Sequence, residues 1–516
     1  MRRSVVTAAV ALALSVTSLP GATSASPTGG STSDPADVPT AGTEPGLPAL
    51  PPQAAGEALA EATAVLEGEP APEGVSATLA LRDLAVALPS LSPTEKEEAR
   101  GLLARPTQGA NDPEGFGYSV PSVKDCSRHL CIHWVESTAD APPGRAWVNR
   151  TMRVLKKVWK REVGELGYRR PLRDGDRGGN AKFDVYLKDV GSQGLYGYCA
   201  PEPNQGEWSS QGYCVLDDDF ARQQFQAPPR QSLKVTAAHE FFHAIQFAYD
   251  YGEDRWLMEG TATWVEERVY DDIDDNRQYL PYGQVARPER PLDKFVSSGF
   301  GQYGNWAFFE YLTERFGPGI VREIWEGADG HWRNHSVKAV KRALPGKQRL
   351  TRVFRDYAAA NTVPARTYPE GDAWPKPAYA AAHRLGADDR QTAGAVNVDH
   401  LAARHVVVRP RDDLQARSWF LEVAVDGPGA RTAPGAVLVV HRRDGRVVTR
   451  PVPLDDAGDG SLTVRFGART AKKATVTLAN ASTRYDCWEK TWRWACQGKP
   501  RDQRKAFDYR LRLVRR

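Results

Sequence analysis

His239-Glu240-Phe241-Phe242-His243 is an H-E-x-x-H run inside a stretch with helical apolar spacing. On an α-helix, residues four apart stand one turn above each other on a single face, so both imidazoles can reach one metal ion. The spacing suits zinc. Glu240 follows the first ligand and cannot share its coordination position, but it can take a proton from a water that the ion activates. The plain alternative is a helix whose histidines are merely packed or solvated, and the surrounding residues weigh against it. A tetrahedral catalytic zinc needs a third protein ligand and keeps one corner for water. A carboxylate, histidine or cysteine is therefore expected downstream, and Trp256-Leu257-Met258-Glu259-Gly260-Thr261-Ala262 offers Glu259. Glu266 and Glu267 compete for the role. Glu266 shares the face of Glu259 about two turns on, where it could accept a hydrogen bond from a ligand histidine and fix its tautomer, while Glu267 points elsewhere and is read as exposed. The chemistry this set permits is amide hydrolysis, with zinc polarising the carbonyl and Glu240 moving the proton from water to the leaving amine.

These residues resemble the gluzincin metallopeptidases. In their aminopeptidase branch a W-L-x-E-G-x-A stretch after H-E-x-x-H begins a second helix and its glutamate binds zinc. The resemblance puts the third ligand at Glu259. Fifteen residues separate His243 from Glu259, fewer than that branch usually has, so the turn between the two helices must be tighter. Tyr303, in Gly301-Gln302-Tyr303-Gly304-Asn305-Trp306, heads a helix expected to end near Phe316-Gly317, and it is similar to the tyrosine that stabilises the tetrahedral intermediate. A packing role is its alternative. The G-x-M-E-N anchor for a free amine is missing: Gln211-Gly212-Tyr213-Cys214-Val215 has no carboxylate until Asp217-Asp218-Asp219. Endopeptidase action on a protein or peptide is therefore expected rather than removal of N-terminal residues. Across most of the chain the arrangement resembles a group of bacterial exported metallopeptidase-type proteins with H-E-F-F-H and W-L-x-E-G-T-A-T-W motifs.

The helix that must carry the pair is expected to be capped by Ser232, to run through Val235, Ala238, Phe242, Ile245, Gln246 and Tyr249 at helical spacing, and to stop at Gly252. Gly212 to Leu216 reads as the strand before it. The fold class is α+β, with a gluzincin-like catalytic domain over residues 113–385: a mixed sheet with the metal helix, then a helical part. Further strands are expected at His129 to Val135 and Lys182 to Val190, with a helix through Val148, Met152, Leu155, Trp159 and Leu166 between them. From residue 386 to 516 the period turns to two, the pattern of a β-sandwich, with Asp444-Gly445 as a tight hairpin.

Arg2 and Arg3 precede an apolar run from Val5 to Val16, and Ala22-Thr23-Ser24-Ala25 offers small residues for a signal peptidase, so residues 1–25 read as a signal peptide and the protein as secreted and extracellular. No other stretch approaches a membrane span. Residues 26–112 read as a disordered leader, rich in Pro, Ala, Gly, Ser and Thr up to about residue 75. It ends in helical signals at Ser76 to Leu88 and at a capping box, Ser92-Pro93-Thr94-Glu95. In an exported peptidase such a leader suggests a pro-segment that keeps the enzyme inactive or assists folding. A plain linker is the alternative.

The six cysteines fall into close pairs, Cys126 with Cys131, Cys199 with Cys214 and Cys487 with Cys496, which agrees with export and points to three local disulfides. The formal charge of +4 is spread along the chain and implies no nucleic acid. Trp488, Trp492 and Trp494 form a cluster that could stack on a glycan, though a pinned hairpin packed on its own domain is the commoner use. Asp174-Gly175-Asp176 to Asn180, with Asp184 beyond, is similar to a calcium loop but lacks the glutamate at its twelfth position, and Asp271, Asp272, Asp274 and Asp275 form a second acidic cluster. The rival to a secreted zinc endopeptidase is a secreted glycan- or surface-binding protein with an inert peptidase-like core.

Overall fold

The computed structural model describes residues 50–68, 76–109, 116–202, 207–328, 334–346, 348–489 and 491–516. The expected signal peptide, residues 1–25, and residues 26–49, 69–75 and 110–112 of the expected leader lie outside these residues. The elements begin with α1 (Pro52–Leu66), α2 (Ala77–Ala87) and α3 (Pro93–Leu102). The expectation of a disordered stretch up to residue 75 fails over α1, which buries Ala55, Leu59, Ala62, Val65 and Leu66. Its alanine-rich composition looks like a solvated leader but is also strongly helix-forming, and a packing partner decides between the two. The capping box is present, with Ser92 accepting from the Glu95 N–H and Glu95 from the Ser92 N–H.

The first sheet contains β1 (Val123–Cys126), β2 (Leu130–Trp134), β3 (Phe183–Lys188), β4 (Gly197–Glu202) and β5 (Gln211–Asp217), in the order β1-β2-β3-β5-β4. The pairs β2 with β3 and β3 with β5 are parallel, and the outer strands β1 and β4 are antiparallel to their neighbours. Between β2 and β3, α4 (Arg145–Trp159) makes the crossover. Cys199 and Cys214 stand opposite each other in β4 and β5, and all three expected disulfides are present.

After the short α5 (Arg222–Phe225) comes α6 (Pro229–Asp250), then α7 (Arg255–Tyr270). The first of these starts earlier than the expected Ser232 cap, because Pro229 at its head has no N–H to satisfy and φ already set for a helix. Its buried residues lie all round the cylinder, as in a helix enclosed on every side rather than lying on a surface. The chain continues into a helical region: α8 (Gly301–Gly304), α9 (Trp306–Phe316), α10 (Gly319–Gly327), α11 (Ser336–Ala343), α12 (Leu350–Ala360) and α13 (Pro364–Thr367). The single helix expected from Tyr303 to Phe316 is broken at Asn305, whose side chain accepts from the Gln284 N–H and donates to the Leu292 carbonyl.

The last part holds β6 (Ala381–Leu385), β7 (Gln391–Val398), β8 (Ala402–Pro410), β9 (Trp419–Asp426), β10 (Pro434–Arg442), β11 (Val447–Val452), β12 (Asp459–Arg465), β13 (Ala471–Asn480), β14 (Tyr485–Asp486), β15 (Lys499–Pro500) and β16 (Lys505–Arg515). Two sheets, β11-β10-β13-β8-β6 and β12-β9-β16-β7, share one apolar core in which Val406, Leu421, Leu438, Val476 and Leu511 are buried. The first of them takes in β6, paired with β8, so this unit begins before residue 386.

The sandwich is sutured to the helical region. Asp293 is fully buried; it takes the His400 ring at 2.7 Å, the Tyr485 hydroxyl at 2.8 Å and the Ala495 N–H at 3.1 Å. Asp254, next to the start of α7, accepts from the Cys496 N–H and the Ser336 hydroxyl. The loop closed by Cys487 and Cys496 is thereby drawn onto the helices. There the Trp492 ring lies under the Arg82 and Arg255 guanidinium groups, and Trp494 packs against His400. Two rings of the tryptophan cluster are thus used inside the molecule.

Burial would push the Asp293 carboxyl up, but the His400 charge and hydrogen bonds outweigh it and hold it below the ordinary aspartate range. Asp293→Asn is expected to cost about 1–3 kcal/mol of stability at neutral pH, the usual result of leaving buried hydrogen-bond donors without a charged acceptor. Because the folded value is depressed, this contribution is complete above the unfolded-chain pKa of about 3.9 and drains away as pH falls through the folded value. Denaturant midpoints of both chains at neutral and acid pH check it; wild type and variant converge as the pH is lowered.

Candidate active site

His239 and His243 project from one face of α6 toward α7. His239 Nε2 lies 3.2 Å from Glu259 Oε2, and His243 Nε2 lies 3.8 Å from Glu259 Oε1. The ligand atoms of the three residues fall within 4.8 Å of one another. Ligands at zinc distances of about 2.0–2.2 Å in a tetrahedron stand roughly 3.3–3.6 Å apart, so the spacing fits. His243 Nε2 and Glu259 Oε1 are buried without a hydrogen-bond partner, which is costly unless a cation lies between them. Both groups are fully buried in the packing of the two helices.

The outer ring nitrogens are fixed. His239 Nδ1 donates to Glu266 Oε1 at 2.7 Å, as the shared helix face leads one to expect. His243 Nδ1 donates to Gln246 Oε1 at 2.7 Å, and the amide of Gln246 in turn donates to the Met258 carbonyl and the Thr261 hydroxyl. The bond to Gln246 leaves His243 Nε2 as the free lone pair facing Glu259. His239 Nε2 stands in hydrogen-bond contact with Glu259, and against the effect of burial the Glu259 and Glu266 carboxylates hold the His239 ring well above the ordinary histidine range. Gln246 is not among the residues that the motifs single out, although its place one turn beyond His243 was the available signal. Burial lowers the His243 ring to about 4, which keeps it neutral and ready to ligate at neutral pH.

Glu240 is buried and, mainly for that reason, pushed up to about 7. Its Oε2 accepts from the Thr78 hydroxyl at 2.8 Å, and Thr78 Oγ1 accepts from the Cys199 N–H of β4 at 2.9 Å. The Cys199–Cys214 bridge lies against the Glu240 carbonyl, with Cys199 Sγ 2.9 Å from its oxygen. Tyr303 belongs to α8 and its ring centroid is 6.2 Å from that of His239. Burial, and then the Glu259 charge, hold its phenol well above the ordinary value, so it remains a donor.

His239, Glu240 and Glu266 line a cavity of about 280 Å³ whose other walls include Leu195, Tyr196, Val235, Tyr279, Phe300 and Tyr303. One wall, around Gly194 to Gly197, is held by Asp217, which accepts from the Gly191 and Phe220 N–H groups, both at 2.6 Å. Asp217 is therefore spent on building a turn. Glu267, expected to be exposed, is buried and accepts from Asn276 at 2.8 Å, because the chain after α7 folds back over it. In the calcium-like loop, Asp174 and Asp184 are both taken by the buried Arg105 guanidinium, at 2.5 and 2.6 Å, so an arginine supplies the positive charge there. In the second acidic cluster Asp274 pairs with Arg277, and Asp271 comes together with Glu267 and Glu370.

Among protein-family models, one described as a family of unknown function (DUF6055) matches residues 115–363, a span from the start of the first sheet to the end of α12. No curated protein matches. Among solved structures, a periplasmic inhibitor of g-type lysozyme from Aeromonas hydrophila is 11% identical, with 26% of this chain and 100% of that one covered at a TM-score of 0.14. A family GH115 4-O-methyl-α-glucuronidase with specificity for decorated arabinogalactans is 9% identical, with 56% and 38% covered, also at 0.14.

Glu266→Gln keeps the size of the side chain but removes the charge that orients the His239 ring. It is expected to weaken zinc binding about 10–100-fold, the usual cost of losing such a support, in a chelator competition titration. Glu259→Ala is expected to abolish stoichiometric binding in the same titration.

Proposed function

We propose that this chain is a secreted zinc-dependent endopeptidase. The observation that carries the reading is the convergence of His239 Nε2, His243 Nε2 and Glu259 on one point, with two of the facing atoms buried and unpartnered. Two imidazoles and one carboxylate make the donor set of a catalytic rather than a structural zinc site, because three protein ligands leave a corner free. When bound, zinc would polarise the scissile carbonyl and make water acidic enough to attack at neutral pH.

The remaining work falls to the chain's own side chains. Glu240 is placed beside the ligands without joining them, and its raised affinity for a proton suits a group that takes one from water and hands it to the leaving amine. Tyr303 keeps its proton and can donate to the oxygen of the tetrahedral intermediate. Glu266 and Gln246 hold the two imidazoles in the ligating tautomer. The cavity beside them, walled by the rings of Tyr196, Tyr279, Phe300 and Tyr303 and by the carboxyls of Glu266 and Asp275, suits a side chain of a peptide. Endopeptidase action is preferred because Asp217, the carboxylate at the end of β5, is engaged in its turn, leaving no free carboxylate on that strand to hold an amine. Three disulfides accord with an oxidising compartment, and no described helix is long and apolar enough to cross a membrane.

Metal analysis together with cleavage of casein tests the reading. Wild type and Glu240→Gln are both expected to bind about one zinc per chain, and the variant to lose about 10²–10⁴-fold in hydrolysis rate. A chain that binds no zinc, or a Glu240→Gln variant as fast as wild type, overturns it. Zinc binding without cleavage, even after the N-terminal segment has been trimmed, favours the rival binding protein.

A further inference from the structure

The first sheet ends in β4, an antiparallel edge strand that runs beside the metal-ligand cluster. An exposed edge next to a reaction centre is the natural berth for an extended peptide, since its outward N–H and C=O groups can pair with a new strand. In this chain the berth is taken by α2. Cys199 and Cys214 pair across β4 and β5, and the Cys199 N–H is directed to the Thr78 hydroxyl. The same hydroxyl donates to Glu240 at 2.8 Å, and Ser76, the cap of α2, lines the same cavity as His239, Glu240 and Tyr303. One segment thus engages the proposed base directly and closes over the cavity beside a proposed ligand and the proposed oxyanion donor. Ser76 and Ala77 also form a wall of the cavity beside the ligands.

Resting on the peptidase reading, we propose that the hairpin of α1 and α2 is an internal plug: it fills the substrate berth along β4, and the chain is latent until the turn after α2 is cut. The two helices of the segment pack on each other, and Ala58, Leu59 and Ala62 of α1 and Leu79, Leu81 and Leu84 of α2 are buried in the same apolar core as α6 and α7. Arg82 and Asp83 form an ion pair inside α2 at 2.9 Å; Asp83 also pairs with Arg255 of α7 and Arg82 donates to the Glu253 carbonyl, so release breaks one buried ion pair and one hydrogen bond to the body. Buried ion pairs hold less firmly than apolar packing of the same volume, which suits a helix that must be released. The chain beyond α3 is pinned in place, because Arg105 is bound to Asp174, Asp184 and Glu202 on the sheet side. The connection between the part that leaves and the part that stays runs through Ser92, Pro93 and Thr94, all exposed and therefore open to a protease.

The test inserts a site-specific protease sequence between Ser92 and Pro93 of the full chain and compares the intact and nicked forms, each loaded with zinc. Hydrolysis of a fluorogenic peptide and binding of a peptide hydroxamate are measured on both. The plug predicts at least about a tenfold gain in rate and in hydroxamate affinity on nicking, with zinc content unchanged. Hydroxamate binding needs no turnover, so it reads the berth even if the nicked chain is fragile. Equal rates and equal affinities in two zinc-bearing forms overturn the plug and leave the peptidase standing. A nicked form slower than the intact one also overturns it and makes α2 a support of the site. Zinc absent from both forms removes the peptidase reading and the plug with it.

Discussion

His243 Nε2 and Glu259 Oε1 face each other at 3.8 Å, fully buried, with no hydrogen bond to either. Leaving two such atoms in a dry interior costs about 1–3 kcal/mol each, a cost that the proposed zinc ion between α6 and α7 would relieve. Much of the surrounding structure is arranged to hold that geometry. Gln246 ties one helix to the other by donating to Met258 and Thr261 while it orients His243. Thr261 also accepts from the Trp325 ring N–H, which extends the brace to α10. Gly260 lies directly against the Phe309 ring, where even a methyl group would come within 2.8 Å, so α9 can press onto α7 only because this residue has no side chain.

The tight turn between the two helices is held from a distance. Glu253 and Asp254 in that turn receive the Ser336 N–H and hydroxyl from α11, the Cys496 N–H from the sandwich and, at the Glu253 carbonyl, Arg82 from α2. A feature that is local in sequence thereby depends on three remote segments. The sandwich consequently has a structural part in the site's geometry: its disulfide-closed loop delivers both the Cys496 N–H and the Trp492 ring that backs Arg255 at the head of α7.

The N-terminal helices meet the same constraint from the other side. A proposed base that is buried and resists ionisation needs a hydrogen-bond donor, and the one it finds is Thr78, 162 positions away in the chain. That contact joins the edge of the sheet, the proposed base and the leader in one short chain of hydrogen bonds, and it gives the leader a physical relation to the site that its composition does not suggest.

Periodicity and residue chemistry made much of this legible. The four-residue interval of His239 and His243, the carboxylate of Glu259 and the helical register of Glu266 depend only on the pitch of two helices, and local pitch is written in sequence. The three disulfides could be paired because their partners are neighbours in the chain, and the capping box because it spans only one turn. Contacts across long separations were not legible, since loop closure can bring together any of many segments and the sequence does not say which. So Glu267 was read as exposed, the calcium-like carboxylates proved to be the partners of Arg105, and an alanine-rich leader proved to be a packed helix. The sequence by itself determined the donor types and their order along two helices; whether those donors meet, what closes over them and which residues of the leader touch them were decided only by tertiary packing, because convergence is a property of how helices are laid against one another and not of either helix alone.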